Sequence, residues 1–568
     1  MSGWRSRVVV CCVCVCCAAI ASCSVVASFP DVRAEDDAMS CQNRLDDDLN
    51  GRLDCAELSC ADFCPVADAV RPANLVPCYE DSERSLSFVA QLGDLTQDAR
   101  CSPWIPNASG IVGPPSCPEG ELSFPGESGC APLGAACPEA GTWPSDVPVG
   151  ALHVLSGAPP GGSGAADRPF STLAEALAVA RDGDTLIVGE GLYMESIALS
   201  RSITLRGVCA DKVHISSEGE GVVVRLSAPG AALRDVTLGL DAAAPSPLAG
   251  VVVEATDTRL DSLAISGVAG TALRVVDGAS VVAERLDVAQ LRGADSLALD
   301  VEAGASAQIH GWSARQLEGD ALRVAGVLEL EASWLADVDG VGLRVIPGSQ
   351  TRVAGFATLR TAGGVLDVDC GGQVDACLVA EDLWSDADGG PGVLLRGGSM
   401  ELRRAFIQRA EGVGVHVLGG MLVTEDLVVT QVRSRGVVSG AALRVEAAGT
   451  VRGSRILLRL NLLYGIEVLG GSLLISDLMV DGRVPSGTSA VGLRIEGGTT
   501  SVQAFSIDQA GICGVELVGV EDAVLRQGVV SKSPRGVCVD GGDLTPGELM
   551  SFIKFTSDVQ RPVFVEGE

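Results

Sequence analysis

Between residues 223 and 539 one short phrase recurs fourteen times: a branched aliphatic residue, a residue that is usually charged, then another aliphatic or small residue. Clear copies are Leu273-Arg274-Val275, Leu322-Arg323-Val324, Leu343-Arg344-Val345, Val415-His416-Val417, Leu443-Arg444-Val445 and Leu493-Arg494-Ile495. The first aliphatic falls at Val224, Val253, Leu273, Leu299, Leu322, Leu343, Leu366, Leu395, Val415, Leu443, Ile466, Leu493, Val515 and Val537, so every interval is 20 to 29 residues. A period in that range marks a solenoid, whose repeats cannot bury their apolar faces without neighbours. The phrase alternates with period two, which makes it a short strand with aliphatics on one side and the polar residue on the other. Leucine-rich repeats are excluded because no Asn or Cys recurs at a fixed offset. Helical repeats are excluded because Gly punctuates nearly every unit. A parallel β-helix remains, with three short strands per coil and turns of variable length.

A second column follows the first at a matching offset: Val236, Leu263, Leu286, Trp312, Trp334, Phe356, Trp384, Phe406, Leu427, Ile456, Leu478, Phe505 and Leu525. Because the same slot accepts Leu, Ile and Val, it is expected to stack inside the solenoid and not to form an exposed sugar-binding platform. The polar members of the phrase form a ladder along one outer face. It comprises Arg225, Glu254, Arg274, Asp300, Arg323, Arg344, Asp367, Arg396, His416, Arg444, Glu467, Arg494, Glu516 and Cys538. Its mixed signs predict ion pairs between coils, each contributing about 0.2 to 1 kcal/mol where exposed.

With 73 acidic and 41 basic residues the formal charge is −32, which argues against nucleic acid or an anionic membrane surface as partner. All four histidines stand apart in the sequence, so zinc is not expected. The first 22 residues read as a targeting segment: Arg5 and Arg7 precede the apolar run Val8 to Ser22, which is too short to favour a transmembrane helix. The run ends Ile20-Ala21-Ser22-Cys23 and resembles the lipobox of bacterial lipoproteins. That resemblance implies lipidation of Cys23, anchoring to the membrane and, with Ser24 next, the outer membrane.

Residues 23–150 are rich in Cys and Pro and lack periodicity, as in a small disulfide-stapled module. Cys370 and Cys377 form a further close pair, and Cys513 and Cys538 lie about one coil apart. Inside this region Asp46, Asp48, Asn50, Arg52 (through its carbonyl), Asp54 and Glu57 occupy the offsets of a calcium loop, with Gly51 at its tight turn. It resembles the isolated calcium loops of dockerin or thrombospondin type 3 repeats. Calcium is therefore the expected cofactor.

The run Pro169 to Tyr193, followed by Ser202 to Gly207, opens with a short helix capped by Ser171 and presenting Leu173, Leu177 and Ala180, then a first strand from Gly183 to Val188. It resembles the entry segment of right-handed parallel β-helix proteins of the pectin-lyase-like superfamily, in which such a helix plugs the open end. The expected fold is accordingly all-β: a right-handed parallel β-helix over 151–540, with a C-terminal cap over 541–568. In that cap Thr545 to Glu548 reads as a capping box before Leu549, Phe552 and Ile553.

One acidic cluster, Asp367, Asp369, Glu381, Asp382, Asp386 and Asp388 around Trp384, has the composition of a carbohydrate site. Yet the paired-Asp and Gly-His-Gly signatures of polygalacturonases and the Arg-x-Pro-x-x-Arg run of lyases are absent. No catalytic residue is assigned. The expected function is a non-enzymatic surface lipoprotein whose coils contact an envelope glycan or protein. The alternative is a polysaccharide lyase or glycoside hydrolase acting at the Trp384 cluster.

Overall fold

The computed structural model describes residues 117 to 565 apart from 119, 128, 218, 220, 240–245, 388, 435–439, 460, 483–490, 521–522 and 543–551. The targeting segment expected over 1–22, Cys23 and the calcium-type loop expected over 46–57 lie outside the described residues. Those described form a parallel β-solenoid of about 15 turns, with one short helix.

Each coil has one short strand, a turn, and one long strand that bends twice. The coil from 271 shows the plan: Thr271–Val275, then Ser280–Leu291. The short strands stack in parallel register, so that Val224, Val251, Leu273, Leu299, Leu322, Leu343, Leu366, Val393, Val415, Leu443, Ile466, Leu493, Val515 and Val537 make one column. Every member is buried in a single continuous core. Burial of each Leu or Ile stabilises by about 1.5–3 kcal/mol, but only in the presence of the coils above and below.

Twelve of these fourteen positions match the repeated phrase. In the other two coils the true members are Val251 and Val393, each two residues before Val253 and Leu395. The run Val251-Val252-Val253 is aliphatic throughout, so alternation alone does not reveal which residues face inward.

The bends of the long strand carry left-handed backbone. One corner column runs Asp235, Ser262, Arg285, Gly311, Ala332, Gly355, Asp382, Arg404, Asp426, Arg455, Asp477, Ala504 and Gln527, all with positive φ. The residue after each corner points inward: Leu263, Leu286, Trp312, Ser333, Phe356, Leu383, Ala405, Leu427, Ile456, Leu478 and Phe505 pair in sequence. Trp312, Phe356 and Phe505 are thus interior, as expected. Trp334, Trp384 and Phe406 are not in that column: each sits one residue later, on the outward side, and pairs with the row Ser313, Ala357 and Val428.

The entry helix spans Leu173–Val179 and buries Leu173 and Ala176 over the first coil. Its N-cap is Thr172 instead of Ser171, because Thr172 accepts the Glu175 amide while Glu175 reaches back to the Ser171 amide and hydroxyl. At the far end Ile553 is not helical. Ile553–Phe555 and Arg561–Val565 pair with Gly528–Ser531 and Arg535–Asp540 and continue the solenoid by a further partial coil.

Among the described residues, disulfides join Cys117 to Cys130, Cys137 to Cys209, Cys370 to Cys377 and Cys513 to Cys538.

Candidate functional site

The short strands form a sheet whose outward row reads Arg225, Val252, Arg274, Asp300, Arg323, Arg344, Asp367, Leu394, His416, Arg444, Glu467, Arg494, Glu516 and Cys538. Val252 and Leu394 replace the expected Glu254 and Arg396, a consequence of the two-residue register difference. Opposite charges in adjacent coils bond as the ladder predicted. Asp300 accepts two hydrogen bonds from Arg323, at 2.9 and 2.7 Å. Asp367 is shared between Arg344 and Arg396, each at 2.7 Å. Arg444 meets Glu467 at 2.6 Å. These hydrogen bonds hold Arg323 and Arg396 firmly protonated, raising both above the usual guanidinium range despite partial burial.

Where Val252 interrupts the row, a groove of about 360 Å³ opens. Its floor is apolar, from Ala249 and Val252, and its sides are the ion pairs Arg225–Glu254 and Arg274–Glu302. Glu254 and Glu302 follow the paired residues Val253 and Val301, two coil steps apart, or about 9.6 Å at strand spacing. Neither the floor nor Glu302 stood out in the sequence. The one hint was the all-aliphatic Val251–Val253, which cannot supply a charge to its slot.

The acidic cluster does not gather into one site. Asp367 lies on the short-strand sheet between two arginines. Asp369, at the end of Leu366–Asp369, accepts from the Gly371 amide at 2.9 Å. Glu381 faces Arg352, Arg403 and Arg404 at 3.8, 3.5 and 3.6 Å before the corner. Asp382 is the corner itself, bonded to Arg404, and Asp386 pairs with Arg409 beyond it. Trp384 stands among Ala357, Phe406, Val428 and Leu457 in a separate apolar cluster. Asp388 lies outside the described residues. The carboxylates therefore spread over three faces of the coil, and all described members but Asp369 are neutralised by arginine.

Among the described residues no group of three or more His, Cys, Asp or Glu side chains is placed to hold a metal ion. No described helix is long and apolar enough to cross a membrane.

No family model matches the chain, and no curated protein matches it. Solved structures do. The catalytic unit of a GH87 α-1,3-glucanase from Streptomyces thermodiastaticus strain HF3-3 is 11% identical with a TM-score of 0.29, covering 77% of this chain and 72% of that one. An alginate lyase from Paenibacillus sp. is 12% identical with a TM-score of 0.26, covering 55% and 96% respectively. A pectate lyase is 11% identical with a TM-score of 0.23, covering 62% and 78%. At these identities and scores the three resemblances do not bear on what this chain does.

Proposed function

We propose that this protein is a carbohydrate-binding β-helix that holds an extended envelope glycan along its short-strand sheet without cleaving it. The observation that carries the reading is the groove at Val252, an apolar floor flanked by Arg225–Glu254 and Arg274–Glu302. Apolar surface between paired polar groups suits a sugar ring, whose faces are apolar and whose rim is hydroxylated. The surrounding row offers arginines and carboxylates in alternation, so the glycan need not carry a high charge of either sign.

The rival is hydrolysis. Glu254 and Glu302 stand near the separation of about 6.5–9.5 Å used by inverting glycosidases. Against it, each carboxylate is already engaged by an arginine, Glu254 by Arg225 and Glu302 by Arg274, and not by a partner that would make it a general acid or base. The test is a screen of purified protein against neutral and acidic polysaccharides, reading binding, reducing ends and unsaturated-product absorbance together. Binding without turnover is expected, weakened at least tenfold in Arg225→Ala/Arg274→Ala. Turnover that vanishes in Glu254→Gln establishes the hydrolase, and absence of binding to every polymer removes the proposal.

We also propose that Cys23 carries the lipid anchor, placing the protein at the outer membrane, and that Asp46, Asp48, Asn50, the Arg52 carbonyl, Asp54 and Glu57 bind calcium. Labelling with a fatty-acid analogue is expected to mark the wild type and spare Cys23→Ala. Calorimetric titration of the oxidised full chain is expected to show one calcium site that Asp46→Ala abolishes.

A further inference from the structure

The outward row of the short-strand sheet is aliphatic at Val252 and at Leu394. In both coils the charge that the row would carry sits two residues later, as Glu254 and Arg396. Glu254 meets Arg225 of the coil before it, and Arg396 meets Asp367 of the coil before it at 2.7 and 3.3 Å. The coil after contributes Arg274 to the row in one place and His416 in the other. Each of these bonds a glutamate one coil further on and two residues past the row: Arg274 meets Glu302, and His416 Nε2 lies 2.9 Å from Glu446. The floor and both rim pairs around Val252 thus recur around Leu394 at the same offsets.

A charge moved two residues along a strand stays on the same face and leaves its former slot to a side chain without a hydrogen-bonding group. At Val252 the result is the groove, an apolar floor between bonded rims. Ala249, the other floor residue there, is matched by Pro391, which precedes Leu394 by the same three residues. Leu394 and Pro391 are half-buried, whereas Val252 is 7% exposed, so the second floor lies nearer the surface. The first rim pair reverses its signs between the two places, Arg225–Glu254 against Asp367–Arg396. A polymer charged on every ring would meet opposite signs at equivalent positions. An uncharged one finds donors and acceptors at both.

Given the carbohydrate-binding reading of the groove, on which this rests, we infer that Leu394 floors a second subsite for the same glycan, and that the glycan is linear and uncharged. Six coil steps separate Val252 from Leu394 in the row, a span of about 29 Å along the solenoid. A branch tip or a single end group reaches one floor; only an extended chain of several rings reaches both. Between the floors Arg274, Asp300, Arg323, Arg344 and Asp367 line the path with hydrogen-bonding groups. Once one floor is occupied, the second is met at high effective concentration, so a spanning chain binds more tightly than either subsite holds a short one.

The test titrates the full chain calorimetrically with size-fractionated oligosaccharides of cellulose and of chitin, both linear and uncharged. For a series that binds, two short chains per protein are expected but one long chain, the long chain at least tenfold tighter. Leu394→Asp is expected to keep the β-sheet circular dichroism, to take one short chain and to lose the gain with length. Arg396→Ala, which leaves Asp367 its bond to Arg344, is the second variant and is expected to shrink the same gain. A single short chain on the wild type, or a gain with length that survives both variants, overturns the second subsite and leaves the groove reading standing. Binding of neither series at any length overturns the uncharged-glycan assignment, and the polysaccharide screen then decides whether the groove reading falls with it.

Discussion

His416 sits in the outward row with its Nε2 2.9 Å from Glu446, and Arg444 and Glu467 in the next coils. Burial dominates its titration and lowers its pKa, with Glu446 pulling the other way. A histidine whose folded pKa lies below its unfolded value near 6.5 leaves the unfolded chain holding more protons. Its stabilising balance is complete above about pH 6.5 and is lost as pH falls through that value toward the lowered folded pKa. Denaturation midpoints measured from pH 7.5 to 5 are expected to fall, with a shallower slope in His416→Gln; identical slopes would remove the assignment. Asp367 and Asp337 make a sharper pair. Both bond arginine, but the Asp367 side chain is 10% exposed and bridges Arg344 and Arg396, whereas Asp337 is 45% exposed and meets Arg360. Asp367→Ala strands Arg396 without its carboxylate in a half-dry row and is expected to cost about 1.5–3 kcal/mol. Asp337→Ala is expected to cost less than about 1 kcal/mol in the same urea titration.

At the scale of the element, what the strand bends require explains which parts of the coil could be seen in the sequence. The short strand announces itself, because Leu-Arg-Val alternation between Gly-bearing turns has one reading. The entry helix does too, through a Thr172–Glu175 box that shifts its cap by one residue from Ser171. The corner does not. Gly311 and Gly355 supply the left-handed backbone where Trp312 and Phe356 turn inward, and there the aromatic slot was legible. Ala332, Asp382 and Arg404 hold the same positive φ with no compositional mark, so by spacing Trp334, Trp384 and Phe406 are counted in a column they miss by one residue. The described acids near Trp384 part from one another for the same reason: one step past a bend changes the face. A left-handed L-residue costs about 1–2 kcal/mol, against about 0.5–1 kcal/mol for the added freedom of Gly in the unfolded chain. Ala332→Gly, at φ +51°, is therefore expected to stabilise by about 0.5–1 kcal/mol, and a lowered melting temperature would show the corner to be unstrained.

The whole molecule behaves as a stack in which each coil answers to its two neighbours, so register matters more than length. Leu322 pairs with Leu343 and Arg323 with Arg344. Removing residues 322–342, which is 21 residues and one coil, would seat Leu299 on Leu343, Asp300 on Arg344 and Trp312 on Phe356. Aliphatic meets aliphatic, acid meets base, and aromatic meets aromatic. Removing Leu330 alone deletes far less mass but sits inside Val327–Val338, where a one-residue slip turns the outward Glu331 inward ahead of the Ala332 corner. The coil deletion is expected to keep the β-sheet circular dichroism per residue and a cooperative thermal transition within a few degrees of the parent. The single-residue deletion is expected to lose several kilocalories per mole through a buried charge and an orphaned cavity. If the larger deletion proves the more damaging, the coils are not interchangeable units, and the contacts that Asp146 makes with Arg206 and Glu127 with Arg285, several coils apart, set a length that the stack itself does not.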